Sequence, residues 1–320
     1  MKAEFEDIQR ASVPAMESLI GKVYPVLDKG HIRVIDYMGG DEAIVQAARV
    51  SYGKGTKKVS EDRGLVRYLM RHRHTTPFEM CELKLHVRIP MDAWRQMIRH
   101  RTANVNEYST RYSEAIDDKQ CTLPGEWRFQ SGANKQGSGG FLPTDVGAEL
   151  SEGERAFHHT AAKMYQQRIS CGVAREQARK DLPLSTYTEA YWKIDLHNLL
   201  HYLGLRMDPH AQKEIRDFAN CISVIVQDWV PLTWEAFVDY RLKAMSFSRL
   251  ELKALELWIG VLGAMEGPED TEALLEGREE LRDLVEPWGW LKTTNRERIE
   301  FEDKLEVVGL ELQILREEEG

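Results

Sequence analysis

The 320-residue sequence predicts an α+β fold, in which an antiparallel sheet is packed with helices. One segment alternates strictly between apolar and polar residues, with Leu83, Leu85, Val87 and Ile89 on one face, as in a half-buried strand. Other segments carry apolar residues at helical spacing, and they are interspersed with the strand-like segments. Because no glycine-rich strand-to-helix turn marks a doubly wound parallel sheet, we favour the α+β class.

In the first half of the chain, predicted elements begin and end at recognisable turn and cap residues. Residues 31–40 (HIRVIDYMGG) form a short strand that ends in a Gly-Gly turn. Asp41 and Ser60 each cap the helix that follows, because their side-chain oxygens can accept the orphan N–H groups of a first helical turn. Pro90 closes the alternating strand and opens a helix over residues 91–101.

Helices dominate the second half, after a loop-like stretch over residues 120–144. The predicted boundaries are a capping box at Ser151 and Glu154, a helix end at Gly172, a short helix over 173–180, a strand over 187–194, a cap at Asp195, a helix start at Asp208–Pro209 and a cap at Thr233. Everything beyond Ser248 is expected to be helix or acidic coil.

Composition excludes several classes of protein. With 42% hydrophobic and 30% charged residues, the chain is neither disordered nor of low complexity. No stretch approaches the roughly 18 apolar residues that cross a bilayer, so no membrane association is expected. Acidic residues near the N-terminus argue against a targeting peptide. The 4 cysteines are far apart and form no CxxC pair, which favours a reduced, cytoplasmic protein.

The net charge of −9 is concentrated at the C-terminal end. Residues 266–320 hold 18 Asp/Glu against 7 Lys/Arg, whereas residues 65–114 hold 9 Lys/Arg against 5 Asp/Glu. A cationic segment inside a near-neutral body suits an anionic small ligand, because nucleic-acid binders are usually far more basic. We expect an N-terminal arm (1–30), a central domain (31–262) and an acidic, mainly helical C-terminal extension (263–320).

The segment RHRTANVNEYSTR, residues 99–111, concentrates the candidate chemistry. Arg95 and Arg99 are four residues apart, so a continuous helix would place both guanidinium groups on one face. Clustered arginines repel each other unless an anion lies between them, and the guanidinium fork matches phosphate or carboxylate. A phosphate site and a solvated basic helix end are both compatible with this pattern alone.

This segment resembles the signature of the flavin-dependent thymidylate synthases, which is RHR, seven residues and serine. Further similar blocks occur in the family's order between about His31 and Leu250: ARVSYGK at 48–54, HTTPFE at 74–79, WRQMIRHR at 94–101, AREQARKDLPLSTYTEAYW at 174–192 and LHNLLHYLGLRMDPHAQ at 196–212. The resemblance implies an α+β fold and methylation of dUMP to dTMP. Methylenetetrahydrofolate would donate the carbon, FAD reduced by NADPH would supply the hydride, and tetrahydrofolate would be released.

The resemblance also implies site residues and an assembly. The implied dUMP-binding residues are Gln96, Arg99, Glu107, Ser109, Thr110, Arg111, Arg179 and Arg206. The implied FAD-binding residues are His74, Thr76, Arg99, His100, Arg101, Glu107, Asp195, His197 and His201. At Asp195 and His197 one family pattern has asparagine and arginine instead. The family's working form is a homotetramer whose active sites draw on more than one subunit.

Arg206 is the predicted catalytic residue, because it matches the arginine that favours ionised uracil in the family. A fixed cation lowers the free-energy cost of negative charge that develops on the pyrimidine ring. Ser109 is interpreted as a ligand-binding residue rather than a nucleophile, because no base is adjacent to it in the sequence.

Two other hypotheses follow from the same residues. His72, His74 and His86 lack a carboxylate at ligand spacing, so no metal is expected. The alternative function is a non-catalytic nucleotide- or RNA-binding protein that uses the clusters at residues 71–73 and 99–101. The near-neutral body argues against this alternative, since phosphate-backbone binding requires many cations. Nucleic acid is therefore not an expected partner.

Overall fold

The computed structural model describes residues 12–50, 59–116, 118–132, 137–264 and 271–310. The chain divides into two compact units, Met1–Leu242 and Lys243–Gly320. The first unit contains an antiparallel five-stranded sheet in the order β1-β2-β3-β7-β4. Its strands are β1 (Val23–Val26), β2 (Gly30–Met38), β3 (Glu82–Pro90), β4 (Asn104–Glu107) and β7 (Tyr187–Asp195). This confirms the predicted α+β class.

Ten α-helices of the first unit lie within its described residues. They are α1 (Pro14–Glu17), α2 (Asp41–Val50), α3 (Val59–Arg71), α4 (Thr76–Glu79), α5 (Met91–Met97), α6 (Thr144–Ser170), α7 (Arg175–Ala178), α8 (Leu196–Arg206), α9 (Lys213–Trp229) and α10 (Pro231–Phe237). The first unit also contains two 3-10 turns, Pro124–Glu126 and Arg179–Asp181, and one π-helical turn, Val238–Leu242, within its described residues. The hairpin of β5 (Arg128–Gln130) and β6 (Ser138–Phe141) lies in the stretch predicted as loop.

The core of this unit lies on one face of the sheet. Every second residue of β3, from Leu83 to Ile89, is fully buried, as the alternation predicts. Helix α9 packs against this core with an apolar stripe that includes Phe218, Ile222 and Trp229. The buried apolar surface therefore fixes the strands and helices that carry the site.

The second unit consists of helices α11 (Arg249–Ala264), α12 (Thr271–Val285) and α13 (Arg296–Val307), with a 3-10 turn at Glu286–Trp288. Its own core includes Trp258, Leu281, Trp290 and Phe301. The predicted acidic extension is therefore helical in its described part. The division between the units falls at residues 242/243 instead of the expected 262/263, because α11 packs with α12 in this separate core.

The expected N-terminal arm, as far as it is described, is part of the first unit. Strand β1 pairs with β2, and Met16 of α1 is fully buried. Residues before and after position 30 contribute to the same hydrophobic core, so the packing shows no domain boundary there. The cap predicted at Ser60 cannot be compared, because its side chain lies outside the described residues.

Two predicted helix starts are wrong, because the side chains have other partners: a distant one for Ser151 and Glu154, and a local one for Asp208. Ser151 and Glu154 lie inside α6, where the Ser151 hydroxyl donates to the Thr122 carbonyl and the Glu154 carboxylate accepts from Thr122. Asp208 forms a local turn in which its carboxylate accepts from the His210 N–H, and α9 begins later, at Lys213.

Asp41 caps a helix other than its own. Its carboxylate accepts from the N–H groups of Leu232 and Thr233 and from the Thr233 hydroxyl, at 2.8, 3.0 and 2.6 Å. These groups belong to the first turn of α10, which begins at Pro231. Thr233 is therefore inside that helix and not its cap, contrary to the sequence prediction.

Candidate active site

The arginine cluster emerges directly after α5. Pro90 has the extended conformation of an N-cap (φ −62°, ψ 144°), and the buried Trp94 and Met97 anchor the helix to the core. The helix ends at Met97, earlier than predicted: Ile98 is 40% exposed, and residues 99–102 line a cavity together with residues of α8. Arg95 therefore lies within the helix and Arg99 beyond its end, so the continuous helix that would place both guanidinium groups on one face does not form.

The residues after α5 form a cationic cavity together with α8. This cavity has a volume of about 350 Å³ and is lined by Arg99, His100, Arg101, Thr102, Asn198, His201, Leu205 and Arg206. Asn198, His201 and Leu205 follow one another at spacings of three and four residues, so they occupy one face of α8. Three guanidinium groups in a half-enclosed cavity are suited to an anionic ligand.

Arg206 is held by a histidine and a backbone carbonyl. Its Nε donates to Nε2 of His100 at 3.1 Å, and its Nη2 donates to the Gln96 carbonyl at 3.5 Å. Since Arg206 can only donate, Nε2 of His100 must accept, which assigns the proton of the neutral ring to Nδ1. Burial, followed by the charges of Arg206 and His201, lowers the pKa of His100 to about 4.

Ring packing fixes the orientation of His100. The His100 ring meets the ring of the fully buried Tyr202 edge to face, with 5.0 Å between the centroids. It meets the His201 ring at 5.8 Å in the same manner. The imidazole is therefore a rigid, neutral acceptor that aims the Arg206 guanidinium along the cavity wall.

Asp195 caps the start of α8, as predicted, and orients the side chain of Asn198, which lines the cavity. Its Oδ1 accepts from the Asn198 N–H at 2.9 Å, and its Oδ2 accepts from the Asn198 side-chain amide at 2.7 Å. The Asn198 amide lines the cavity, whereas Asp195 does not. The sequence prediction missed Asn198, although its spacing of three residues from His201 was a usable signal.

A second cavity, of about 450 Å³, adjoins the first. It is mostly apolar and is lined by Leu69, Met70, Arg73, His74, Thr75, Phe78, His197, Leu200, His201, Gly204, Leu205, Phe237 and Arg241. His201 and Leu205 line both cavities, so they form the wall between them. The His74 ring stacks on Tyr68 at 5.8 Å. Thr76 begins α4 next to the lining residue Thr75 but does not itself line the cavity.

The remaining predicted dUMP residues form a separate group after β4. Nη1 of Arg179 donates to the Thr110 hydroxyl, and the Ser109 hydroxyl accepts from the Arg111 N–H at 3.4 Å. Arg111, with 58% of its side chain exposed, lies 3.5 Å from Glu176. None of Ser109, Thr110, Arg111 and Arg179 lines either of the two cavities.

Strand β4 accounts for this separation. It carries the chain from Asn104 to Glu107, about 10 Å at the usual rise per residue. The Glu107 carboxylate accepts from the Thr188 hydroxyl of β7 at 2.8 Å and so fixes the strand end. The single chain thus brings Arg99, His100, Arg101, His201 and Arg206 together at one cavity, and holds Ser109, Thr110, Arg111 and Arg179 apart from them. Gln96 reaches Arg206 with its backbone carbonyl only, while its side-chain amide donates to the Gln212 side chain.

The described residues contain neither a cluster of metal ligands nor a membrane-spanning helix. No group of three or more His, Cys, Asp or Glu side chains in the described ranges could hold a metal ion. Over the same ranges, every helix is too short or too polar to cross a bilayer.

Comparison with solved structures defines the class of protein. The chain is 31% identical to the UMP/dUMP methylase PolB from Streptomyces cacaoi bound with 5-Br UMP, with a TM-score of 0.61 over 68% of this chain and 96% of that chain. The same enzyme bound with 5-Br dUMP gives 32% identity and a TM-score of 0.62, over 68% and 97% of the two chains. The fold is therefore that of these α+β nucleotide methylases.

Sequence comparison defines the family. Residues 33–232 match the family model described as thymidylate synthase complementing protein. The chain is 50% identical over 250 residues to the flavin-dependent thymidylate synthase of Wolbachia pipientis wMel, covering 78% of this chain and 88% of that protein. It is 51% identical over 262 residues to that of Gluconobacter oxydans, covering 79% and 85%. The chain belongs to the flavin-dependent thymidylate synthases, which are methyltransferases.

Proposed function

We propose that the protein methylates dUMP to dTMP in the cytoplasm, with methylenetetrahydrofolate as the carbon donor and FAD, reduced by NADPH, as the hydride source. Tetrahydrofolate is then the released folate. The observation that carries this proposal is the cavity in which His100 aims Arg206 beside Arg99 and Arg101. A uracil placed against Arg206 gains a fixed positive charge where negative charge develops on the ring during methylation.

The residues of both cavities are chemically suited to FAD. Arg99 and Arg101 supply guanidinium donors for its phosphates, and Asn198 supplies an amide whose orientation Asp195 fixes. The adjoining cavity offers imidazole rings at His74, His197 and His201 for a planar ring system. When bound, FAD supplies the hydride. Thr76 and Glu107 are assigned to FAD binding by the family resemblance alone.

The separated dUMP residues support an active site completed by a second subunit. We infer that Ser109, Thr110, Arg111 and Arg179 reach the nucleotide of a neighbouring subunit in a homotetramer. The exposed strand β4 and the exposed side chain of Arg111 leave this group accessible to such a neighbour. The Ser109 hydroxyl has no histidine base among its described partners, so it is assigned to nucleotide binding rather than to nucleophilic attack.

The test is the absorption spectrum of the purified protein under anaerobic conditions. We expect a flavin band that NADPH bleaches at a rate that changes when dUMP is added. Protein that stays colourless after incubation with FAD, and that binds RNA with a steep dependence on salt, would instead support a nucleic-acid-binding role.

A further inference from the structure

Two arginines face the larger cavity from irregular backbone. Arg73 follows α3 and has φ +61°, in the left-handed region that non-glycine residues rarely adopt. Arg241 lies in the π-helical turn Val238–Leu242. Both side chains line the cavity of about 450 Å³. Left-handed non-glycine residues and π-turns cost free energy and are concentrated at functional sites.

The neighbouring arginines have partners that Arg73 and Arg241 lack. Along α3, Arg63 and Arg67 pair with Glu235 at 2.7 and 2.6 Å, and Arg71 lies over the Tyr240 ring. In the described part of the chain, neither Arg73 nor Arg241 has a carboxylate partner, and no acidic residue lines the cavity. Among the described residues, Arg63 and Arg67 therefore have a carboxylate partner, whereas the two arginines at the cavity do not.

The two cations also repel each other. Burial, followed by the charge of Arg73, lowers the pKa of Arg241. Nη2 of Arg241 donates to the Met70 carbonyl at 3.0 Å, which fixes the side chain at the cavity but does not neutralise its charge. An anion bound between two guanidinium groups would remove this repulsion.

The lining of the cavity indicates the shape of that anion. Leu69, Phe78 and Phe237 provide apolar and aromatic walls, while the charge is provided by Arg73 and Arg241. A matching ligand has a planar, largely apolar body and an anionic end. The adjoining cavity has Arg99, Arg101 and Arg206 for phosphate groups, so the larger cavity is suited to a carboxylate.

We propose that Arg73 and Arg241 bind a carboxylate of the glutamate tail of methylenetetrahydrofolate, with its aromatic part against the apolar walls. This assignment rests on the proposed function, which makes the folate a substrate. The two arginines would then determine the affinity for folate without taking part in the methylation itself.

The test compares folic acid with its α,γ-diamide, which keeps the shape of the tail and removes both charges. Binding is measured by calorimetry on FAD-loaded protein in the presence of dUMP. We expect the parent protein to bind folic acid about tenfold to a hundredfold more tightly than the diamide, the effect of one or two charged hydrogen bonds. In the Arg73→Asn and Arg241→Gln variants, the ratio of the affinity for folic acid to that for the diamide should fall towards one. Asparagine tolerates the left-handed backbone, so Arg73→Asn removes the charge with little strain.

Arg71→Gln is the matched control, because Arg71 is near both residues but does not line the cavity. It should keep the parent preference. Equal affinities of the parent for both compounds, or an unchanged preference in both cavity variants, would overturn the assignment. Loss of FAD from the variants would overturn it too, because the arginines would then hold the flavin phosphates. Failure of the proposed function is distinct: the parent protein would then form no dTMP at all.

Discussion

Nε of Arg206 lies 3.1 Å from Nε2 of His100, and this hydrogen bond joins the end of α8 to the turn after α5. It requires a neutral imidazole, and the lowered pKa of His100, about 4, keeps the ring neutral at physiological pH. The RHR motif thus contributes more than positive charge. Its histidine orients an arginine 106 residues further along the chain.

Replacement of Arg206 separates catalysis from flavin binding. We expect Arg206→Ala to lower kcat by about a hundredfold to a thousandfold, the usual loss when one preorganised donor is removed from a developing negative charge. Flavin content, read from the absorption spectrum, should remain near the parent value, because Arg99 and Arg101 stay in place. Formation of dTMP at the parent rate would show that Arg206 has another role.

The pKa of His100 makes stability depend on pH. The pKa of His100 in the folded protein lies below its ordinary value of 6.5, so the unfolded chain takes up this proton first. This contribution to stability is therefore intact above about pH 6.5 and is lost as the pH falls towards about 4. Between pH 7 and pH 5, urea unfolding should show a larger stability loss for the parent than for His100→Gln. Equal losses would mean that His100 does not titrate as described.

Arg111 provides a test of the separated group of dUMP residues. We expect Arg111→Ala to raise the Kd for dUMP about tenfold to a hundredfold, since one charged hydrogen bond is lost, while flavin binding stays unchanged. Lys180→Ala is the control, because Lys180 is an exposed cation on the same surface without an assigned ligand. Fluorescence titration with dUMP gives both constants. An unaltered Kd in the Arg111 variant would remove this residue from the site.

Substitution of Asp41 tests the contact between this residue and α10, which supports the site. Its carboxylate accepts three hydrogen bonds from the first turn of α10, whose far end leads into the turn that carries Arg241. Asp41→Ala leaves these buried donors unsatisfied and should lower the free energy of unfolding by about 2–4 kcal/mol. Asp41→Asn retains acceptors on its side-chain oxygen and should lose less. A loss below about 0.5 kcal/mol for the alanine variant, measured with urea, is incompatible with this role.

Local patterns in the sequence were enough to predict strands β2, β3 and β7 and helix α8, but not strands β1 and β4. The alternation of β3 and the cap at Asp195 were correct, because each depends on residues close together in the chain. The predicted length of α5 was wrong, because the end of a helix depends on which residues of its last turn can pack against the rest of the protein.

Long-range contacts account for what the sequence prediction missed. The partners of Asp41 lie more than 190 residues further on, and those of Ser151 lie in a loop outside its helix. Arg73 and Arg241 meet only because α10 packs against α3. Since no local pattern links such residues, only the fold shows that they share a cavity.

Formation of dTMP by flavin-free protein, to which FAD, NADPH and methylenetetrahydrofolate are restored singly and together, tests the central claim most directly. With dUMP present, dTMP should form only when all three are added, and the folate product should be tetrahydrofolate. Formation of dTMP without FAD, or release of dihydrofolate in place of tetrahydrofolate, would contradict the proposal that this arginine-lined site methylates dUMP with a flavin hydride.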